Sequence, residues 1–200
     1  MTTATKGRTT LILASASPRR SEILARLGFS LVIEPSTMPE PERMPGELPS
    51  NYVLRAARAK AQDIAGRHRS GWIVGADTIV VARNHFLGKP ACDLEASGML
   101  RSLSGRWHEV HTGLCLINRS AVRSASGCSC SRVHFRRLTS DDIEGYLVTG
   151  EHRDKAGAYA IQGFASLFID RIEGCYFNIV GFPIFTFARL CRRLGLAITP

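Results

Sequence analysis

One acidic side chain interrupts the most apolar stretch of the chain. The segment from Trp72 to Val81 is typical of a buried β-strand, and Asp77 shares one face of it with glycine and branched apolar residues. A carboxylate on such a face is paired with a cation, bound to a metal ion or catalytic, because burying an unpaired charge is costly. Gly75, two residues earlier, would let another backbone segment approach this face closely. Asp77 is therefore the first candidate for chemistry, with a structural ion pair as the alternative.

Two arginines lie where a helix is expected to begin. Residues 11–13 form an apolar run, Ser17 suits the N-cap of a helix, and Pro18 suits its first position. Cations in a first turn oppose the helix dipole by about 0.3–1 kcal/mol each, so Arg19 and Arg20 do not favour the helix itself. Beside free backbone N–H groups they could hold a polyphosphate through bidentate contacts. The alternative is an ordinary helix start with two solvated arginines.

A lysine falls on the apolar side of a predicted helix. The helix opens at Pro49 and runs to about His68, and Lys60 lies within its apolar stripe. An ammonium in that position must either extend to solvent along its aliphatic stem or meet an anion.

A second lysine follows a predicted hairpin turn at residues 83–85. If the turn is symmetric about Asn84, Lys89 lies opposite Ile79. Lys89 would then be diagonal to Asp77 and on the same face of the hairpin. This register places a cation near the carboxylate.

Two loop segments carry polar groups that could meet a ligand. Residues 30–48 begin as a short strand and become rich in proline and glutamate, which is typical of an irregular but ordered loop. Its carboxylates, Glu40 among them, are either solvated or reach back to a metal ion at the phosphate site. Residues 154–163 are rich in small residues, and Gln162 there carries both a donor and an acceptor, as reading a base edge requires.

Composition limits the class of protein. The chain has 200 residues, 44% hydrophobic and 22% charged, which is typical of one globular domain, taken here as residues 1–200. Its net charge of +9 favours an acidic partner such as a phosphorylated small molecule. No apolar run is long enough for a membrane helix, and residues 1–10 lack the apolar core of a signal peptide. We therefore expect a cytoplasmic protein with no membrane contact.

The six cysteines are scattered along the sequence. The close pair Cys128 and Cys130 does not have zinc spacing, and His108 and His111 should point to opposite faces of a strand, so no zinc signature is expected. Residues 119–137 combine arginines with these cysteines. A solvated or edge-protecting strand is favoured over a nucleic-acid surface, because no aromatic residues alternate with the arginines.

The motifs occur together in the order typical of one family. Residues 13–20 (LASASPRR), 75–78 (GADT), 88–90 (GKP), 154–159 (DKAGAY), 161–163 (IQG) and 180–183 (VGFP) are six of these motifs. The chain resembles the Maf family of nucleoside triphosphate pyrophosphatases over nearly its whole length. The resemblance implies a two-lobed α/β fold of the Maf/ITPase type, with an extended mixed β-sheet, flanking helices and a cleft between the lobes.

The resemblance also implies an activity and a set of site residues. A nucleoside triphosphate would be hydrolysed between its α- and β-phosphates with a divalent cation, Mg²⁺ or Mn²⁺. Asp77 matches the catalytic residue, and Glu40 with Asp77 would hold the metal. The substrate would contact Ser15, Arg19, Arg20, Lys60, Thr78, Lys89 and Gln162. The residue types at Arg19, Thr78 and Gln162 match the branch that acts on dTTP and UTP.

Alternatives to this activity remain open. One is a broad or 7-methyl-GTP-directed pyrophosphatase. Another is a non-catalytic nucleotide- or nucleic-acid-binding regulator, since proteins of the family have been linked to septum formation. The segment from Cys128 to Arg137 is richer in cysteine and arginine than the family pattern. Similar proteins suggest a homodimer, which nothing in the sequence itself derives.

Overall fold

The computed structural model describes residues 9–198 of the chain. These residues form seven β-strands, six α-helices and two 3-10 turns, Ala156–Ala158 and Phe164–Phe168. In chain order the strands and helices are β1 (Thr10–Leu13), α1 (Pro18–Arg26), β2 (Ser30–Ile33), α2 (Pro49–Arg67), β3 (Trp72–Ala82), β4 (His85–Leu87), α3 (Asp93–Leu103), β5 (Trp107–Asn118), β6 (Arg123–Phe135), α4 (Ser140–Val148), β7 (Ile169–Glu173), α5 (Tyr176–Val180) and α6 (Ile184–Leu194).

All seven strands belong to one mixed sheet. Their order is β2-β1-β3-β5-β6-β7, and β4 pairs with β3. β1 runs parallel to β2 and β3, whereas the other pairs are antiparallel. β5 and β6, with 12 and 13 residues, form a long antiparallel ribbon beside β3. The predicted α/β fold with an extended mixed sheet and flanking helices is confirmed.

One edge of β3 is only partly paired. On the side away from β5, β1 pairs with residues 72–74 and β4 pairs with residues 80–82. Residues 75–79, which include Asp77, have no strand partner on that side among residues 9–198. An interrupted edge leaves backbone N–H and C=O groups available to side chains and ligands. The interruption is where the candidate site opens.

Helices cover both faces of the sheet. α2 packs on one face, against apolar residues of β1, β3 and β5. On the opposite face, α1, α5 and α6 pack with one group of buried residues, and α3 and α4 pack with a second group. Within the described part of the chain, no helix combines the length and apolar character that crossing a membrane requires.

Two glycines bring α2 close to the sheet beside Asp77. A Cβ on Gly75 would lie 2.3 Å from the carbonyl oxygen of Ala57, and one on Gly113 would lie 2.3 Å from that of Val53. Gly75 precedes Asp77 by two residues, and Gly113 is the partner of Asp77 on β5. The predicted close approach at Gly75 is therefore confirmed, and it lets a side chain from α2 reach Asp77.

The hairpin between β3 and β4 has a different register from the predicted one. Ala82 pairs with His85, so the turn consists of Arg83 and Asn84, with φ of +49° and +64°. Positive φ at both central residues is typical of a two-residue type I′ turn. Val80 consequently pairs with Leu87, where β4 ends, and the prediction that Lys89 lies opposite Ile79 is wrong. The turn is one residue shorter than predicted, and a shift of one residue moves every side chain to the other face.

The starts of α1 and α6 depend on the residues that precede them. Ser17 is the N-cap residue of α1, but its side chain makes no capping hydrogen bond. α6 begins at Ile184, and Gly181, in a left-handed conformation, ends α5 before it. The extent of the domain, taken from the sequence as residues 1–200, stays a prediction.

Candidate active site

A large cleft opens at the interrupted edge of β3. It has a volume of about 1010 Å³ and is lined from both faces of the sheet. The residues predicted for the site come from six separate parts of the sequence, and each of them lines this cleft: Ser15, Arg19, Arg20, Glu40, Lys60, Asp77, Thr78, Lys89 and Gln162.

Asp77 and Lys60 form a buried ion pair in the cleft wall. Nζ of Lys60 is 2.5 Å from Oδ1 of Asp77, and only 7% of the Asp77 side chain is exposed. Burial raises the pKa of Asp77 above its ordinary value, although the charges of Lys60 and Arg20 oppose the rise. A carboxylate with a raised pKa is a better proton acceptor than an ordinary one. Lys60 thus meets an anion, and the pair leaves Asp77 suited to general-base chemistry.

Glu40 links the two lysines of the cleft. Its Oε1 lies 3.7 Å from Nζ of Lys60 and 3.9 Å from Nζ of Lys89. The loop that carries Glu40 therefore folds back over α2 at Lys60, so Glu40 reaches the cleft and is not simply solvated. A metal ion held there stays a prediction. Lys89, with 56% of its side chain exposed, lies at the cleft beside Glu40. The predicted hairpin pairing is not what places it there.

Arg20 ties together three segments around the cleft. Its Nε donates to the carbonyl oxygen of Gly181 at 3.0 Å, and Nη2 donates to Oγ1 of Thr78 at 3.1 Å. Its Nη1 donates to Oγ of Ser15 at 2.9 Å and to the carbonyl oxygen of Ala76 on the unpaired edge of β3 at 3.0 Å. A guanidinium has about five N–H donors, so these bonds leave about one for a ligand. Arg20 is chiefly a positioning residue in this conformation.

Ser15 lies in the loop between β1 and α1 and lines the cleft. Its Oγ accepts hydrogen bonds from Arg20 and from the backbone N–H of Ser17, the latter at 3.3 Å. Because both of these bonds use lone pairs of Oγ, the hydroxyl proton of Ser15 is left for a ligand.

Arg19 and Lys155 add further positive charge to the lining of the cleft. Nε of Arg19 is buried and has no hydrogen-bond partner among the described residues. Lys155 also lines the cleft, and its pKa is lowered by burial and then by the nearby charge of Arg19. Two cations that repel each other at low solvent exposure are well placed to receive an anion. Lys155 received no predicted role; its place in the segment at 154–163 was the available signal.

Thr78 belongs to a hydrogen-bond chain with a defined direction. Oγ1 of Thr112 donates to the carbonyl oxygen of Asn178 at 3.1 Å, because a carbonyl can only accept. The hydroxyl of Thr78, 2.9 Å from that of Thr112, must therefore donate to it. Thr78 also accepts from Arg20. Towards the cleft, its hydroxyl oxygen can only accept a further hydrogen bond.

Gln162 presents a free amide to the cleft. Its side chain is exposed and makes no hydrogen bond to another of residues 9–198. The preceding residue, Ile161, packs against both groups of buried residues on this face of the sheet. The backbone at Gln162 is thereby held while its donor and acceptor remain available.

The carboxylates of the cleft fit a hard divalent cation. Glu40 and Asp77 line the same cavity and offer the oxygen ligands that Mg²⁺ and Mn²⁺ prefer. Lys60 bonds Oδ1 of Asp77, and Oδ2 has no hydrogen bond from the rest of the described chain. The donor types at these two residues therefore suit the predicted metal.

The arginines of residues 119–137 are partly neutralised by acids. Arg132 lies 2.7 Å from a carboxylate oxygen of Glu173, and Arg136 lies 2.8 Å from one of Asp142. The first contact joins β6 to β7, and the second joins the segment after β6 to α4. These pairs are consistent with a solvated strand surface.

The fold and the site define a class of protein: an α/β protein in which cationic side chains surround a buried carboxylate at an interrupted sheet edge. The family described as Maf-like protein matches residues 10–194. The chain belongs to this family, and the resemblance found from the motifs is confirmed.

Named relatives extend this finding. A dTTP/UTP pyrophosphatase from Methylobacillus flagellatus is 46% identical over 192 residues, which cover 95% of each chain. A dTTP/UTP pyrophosphatase from Pyrococcus furiosus is 43% identical over 180 residues, covering 90% of this chain and 93% of the relative. A solved HAM1 protein from Coxiella burnetii has a TM-score of 0.51 and 16% identity, covering 94% of this chain and 100% of that one. At that identity the likeness concerns the fold alone.

Proposed function

We propose that this chain hydrolyses dTTP and UTP to the nucleoside monophosphate and pyrophosphate, with Asp77 as the general base. The observation that carries the proposal is the buried ion pair of Asp77 and Lys60 inside a cleft with several further cations. The names of the relatives from Methylobacillus flagellatus and Pyrococcus furiosus support the same substrates. Removal of surplus or non-standard nucleotides is the corresponding role in the cell.

The cationic side chains would bind the triphosphate. Phosphoryl transfer depends mainly on positioning and on neutralising charge at the phosphate oxygens. Four cations of the cleft lining supply that charge: Arg19, Lys60, Lys89 and Lys155. Arg20 contributes its remaining N–H and holds the loop before α1 in place.

Asp77 would remove a proton from the attacking water. The water oxygen bonds to the phosphorus of either the α- or the β-phosphate. The bond between that phosphorus and the oxygen that bridges the two phosphates breaks. The water proton passes to Asp77, whose raised pKa favours its acceptance. A divalent cation held by Glu40 and Asp77 would supply charge neutralisation when bound. The products are the monophosphate and pyrophosphate.

Thr78 and Gln162 would select the base. Thymine and uracil present an imide N–H between two carbonyl groups. The hydroxyl of Thr78 can accept such an N–H, and the free amide of Gln162 can donate to a carbonyl. Cytosine lacks the imide proton, so it would pair less well with an obligate acceptor. Arg19 completes the set whose residue types match the branch that acts on dTTP and UTP.

A panel of nucleoside triphosphates with detection of released pyrophosphate tests the proposal. With Mg²⁺ or Mn²⁺, dTTP and UTP should be turned over faster than dCTP, dATP, GTP and 7-methyl-GTP. Asp77→Asn should lose turnover but keep its fold and its nucleotide binding. Asp141→Asn is the matched control, because Asp141 is exposed on α4 and does not line the cleft.

Three outcomes would contradict parts of this proposal. Release of pyrophosphate by Asp77→Asn at the rate of the unaltered chain would remove Asp77 as the base. Faster turnover of 7-methyl-GTP than of dTTP would overturn the substrate assignment. Tight nucleotide binding without turnover would support the regulator alternative. The homodimer expected from similar proteins stays a prediction.

A further inference from the structure

Strands β5 and β6 bring together a glutamate, a histidine and a cysteine outside the cleft. His111 on β5 pairs with Cys130 on β6, and Glu109 precedes His111 by two residues, so all three share one face of the sheet. One ligand atom from each side chain lies within 4.8 Å of the other two. None of the three residues lines the cleft of Asp77.

We propose that Glu109, His111 and Cys130 form a binding site for a thiophilic divalent cation of the Zn²⁺ class. An oxygen, a nitrogen and a sulfur ligand are a donor set that zinc uses in proteins, with water in the fourth position. Mg²⁺ and Ca²⁺ prefer oxygen ligands alone, so this site and the carboxylates of the cleft favour different metals.

The distances between donor atoms suit a tetrahedral ion. Zinc lies about 2.3 Å from a sulfur and about 2.0–2.1 Å from a nitrogen or oxygen ligand, which places S and N about 3.6 Å apart at the tetrahedral angle. Sγ of Cys130 is 3.6 Å from Nε2 of His111. Oε2 of Glu109 is 2.8 Å from the same nitrogen, against about 3.4 Å around an ion. A rotation of the Glu109 side chain, which is 46% exposed, provides this difference.

The ring of His111 is held by burial, and its Nε2 faces the other two donor atoms. His111 is 8% exposed, and its Nδ1 is buried without a hydrogen-bond partner among residues 9–198. Without an ion, Nε2 donates its proton to Oε2 of Glu109, because a carboxylate can only accept. No described acceptor holds a proton on Nδ1, and an ion between the three side chains would displace the proton of Nε2. Nε2, which faces Glu109 and Cys130, can present its lone pair to an ion.

The neighbouring arginine is engaged elsewhere. Arg132 follows Cys130 by two residues on β6, but its Nη1 lies 2.7 Å from Glu173 and its guanidinium stacks over Trp107 at 4.6 Å. Glu109 consequently remains free of a competing ion pair with Arg132. Because Cys130 is exposed, the fourth coordination position opens to solvent, and a bound ion would cross-link β5 to β6.

Metal binding to the full chain, kept reduced, tests the site. Titration with Zn²⁺ in competition with a chromophoric chelator should give one equivalent that Cys130→Ser abolishes. Co²⁺ should give a thiolate-to-cobalt charge-transfer absorption, which the oxygen ligands of the cleft cannot produce. His111→Gln should weaken binding at least about tenfold, the minimum typically lost even with a supporting contact of a metal site. Cys128→Ser, the matched thiol control on β6, should keep both signals.

Thermal unfolding keeps the test decisive if one variant folds poorly. Zn²⁺ should raise the melting temperature of the unaltered chain and of Cys128→Ser, but not that of Glu109→Gln or Cys130→Ser. The proposal is overturned if the cobalt absorption is missing or if it persists in Cys130→Ser. It is also overturned if Zn²⁺ binds the unaltered chain and Cys130→Ser equally. Pyrophosphate release with Mg²⁺ should be unchanged in Cys130→Ser, so failure of the proposed function would be recognised separately.

Discussion

Replacing Lys60 by methionine tests whether one ammonium controls the charge of Asp77. The two side chains are 2.5 Å apart, and the carboxylate is 7% exposed, with Arg20 as a further cation acting on it. Removing an opposite charge at this distance raises a carboxyl pKa by about 1–3 units. One unit of pKa corresponds to about 1.4 kcal/mol. Lys60→Met should therefore have a free energy of unfolding about 1–4 kcal/mol lower than the unaltered chain at neutral pH, where Asp77 has to be ionised without its partner.

The pH dependence separates this effect from a loss of packing. In Lys60→Met the pKa of Asp77 in the folded state lies further above its unfolded value. Compared with the unaltered chain, the loss of stability is therefore full above the folded-state pKa of Asp77 in Lys60→Met. It disappears as the pH falls below the folded-state pKa in the unaltered chain, where Asp77 is protonated in both folded proteins. A packing defect would be the same at every pH. If Asp77 is the base, the acid limb of kcat/KM should also move to higher pH.

Urea unfolding and kcat/KM profiles, both measured from acid to neutral pH, provide the test. Lys89→Met is the matched control, because the Lys89 side chain is 56% exposed and lies near Glu40 instead of Asp77. It should raise KM without a pH-dependent loss of stability. If Lys60→Met loses the same stability at acid and neutral pH, or keeps the acid limb in place, Lys60 does not control the ionisation of Asp77.

Three further substitutions test other parts of the site. Gln162→Glu should weaken the preference for dTTP and UTP, and an unchanged selectivity profile would remove Gln162 from base recognition. Gly75→Ala places a Cβ 2.3 Å from a carbonyl oxygen of α2, so we expect a loss of at least about 1–3 kcal/mol in urea unfolding, together with lower kcat. Thr112→Val removes the donor to a buried carbonyl of α5 and frees the proton of Thr78. It should cost about 1–3 kcal/mol and raise the turnover of dCTP relative to dTTP, whereas unaltered selectivity would show that the direction of this chain is irrelevant.

Local patterns were sufficient to find the centre of the site. Asp77 breaks the apolar face of a strand, and Lys60 breaks the apolar stripe of a helix. Each departure is costly alone, so the two had reason to meet, and the ion pair shows that they do. Gly75 carried the matching backbone signal, because only a side chain without a Cβ allows α2 to lie so close to β3. The α/β fold and the positions of most elements followed from the motifs and the apolar patterns.

Contacts between distant segments were beyond the reach of such patterns. The place of Lys89 depended on the length of a turn, and one residue was enough to make the predicted pairing wrong. The hydrogen bonds of Arg20 go mainly to backbone carbonyls and hydroxyls, which have no distinctive residue type. The cluster at His111 depends on the register between β5 and β6, whereas the spacing of cysteines along the chain gave no hint of it.

The early end of β1 has a consequence for how this protein can change. β1 stops after Leu13, which pairs with Val74 of β3, whereas β3 continues to Ala82. If β1 ran on, its backbone would bond the stretch around Asp77 and fill part of the cleft. Ser17 and Pro18, which turn the chain into α1, thus keep the edge beside Asp77 free of a strand partner. Insertions or substitutions that favour continued strand pairing there should extinguish turnover while making the sheet more regular.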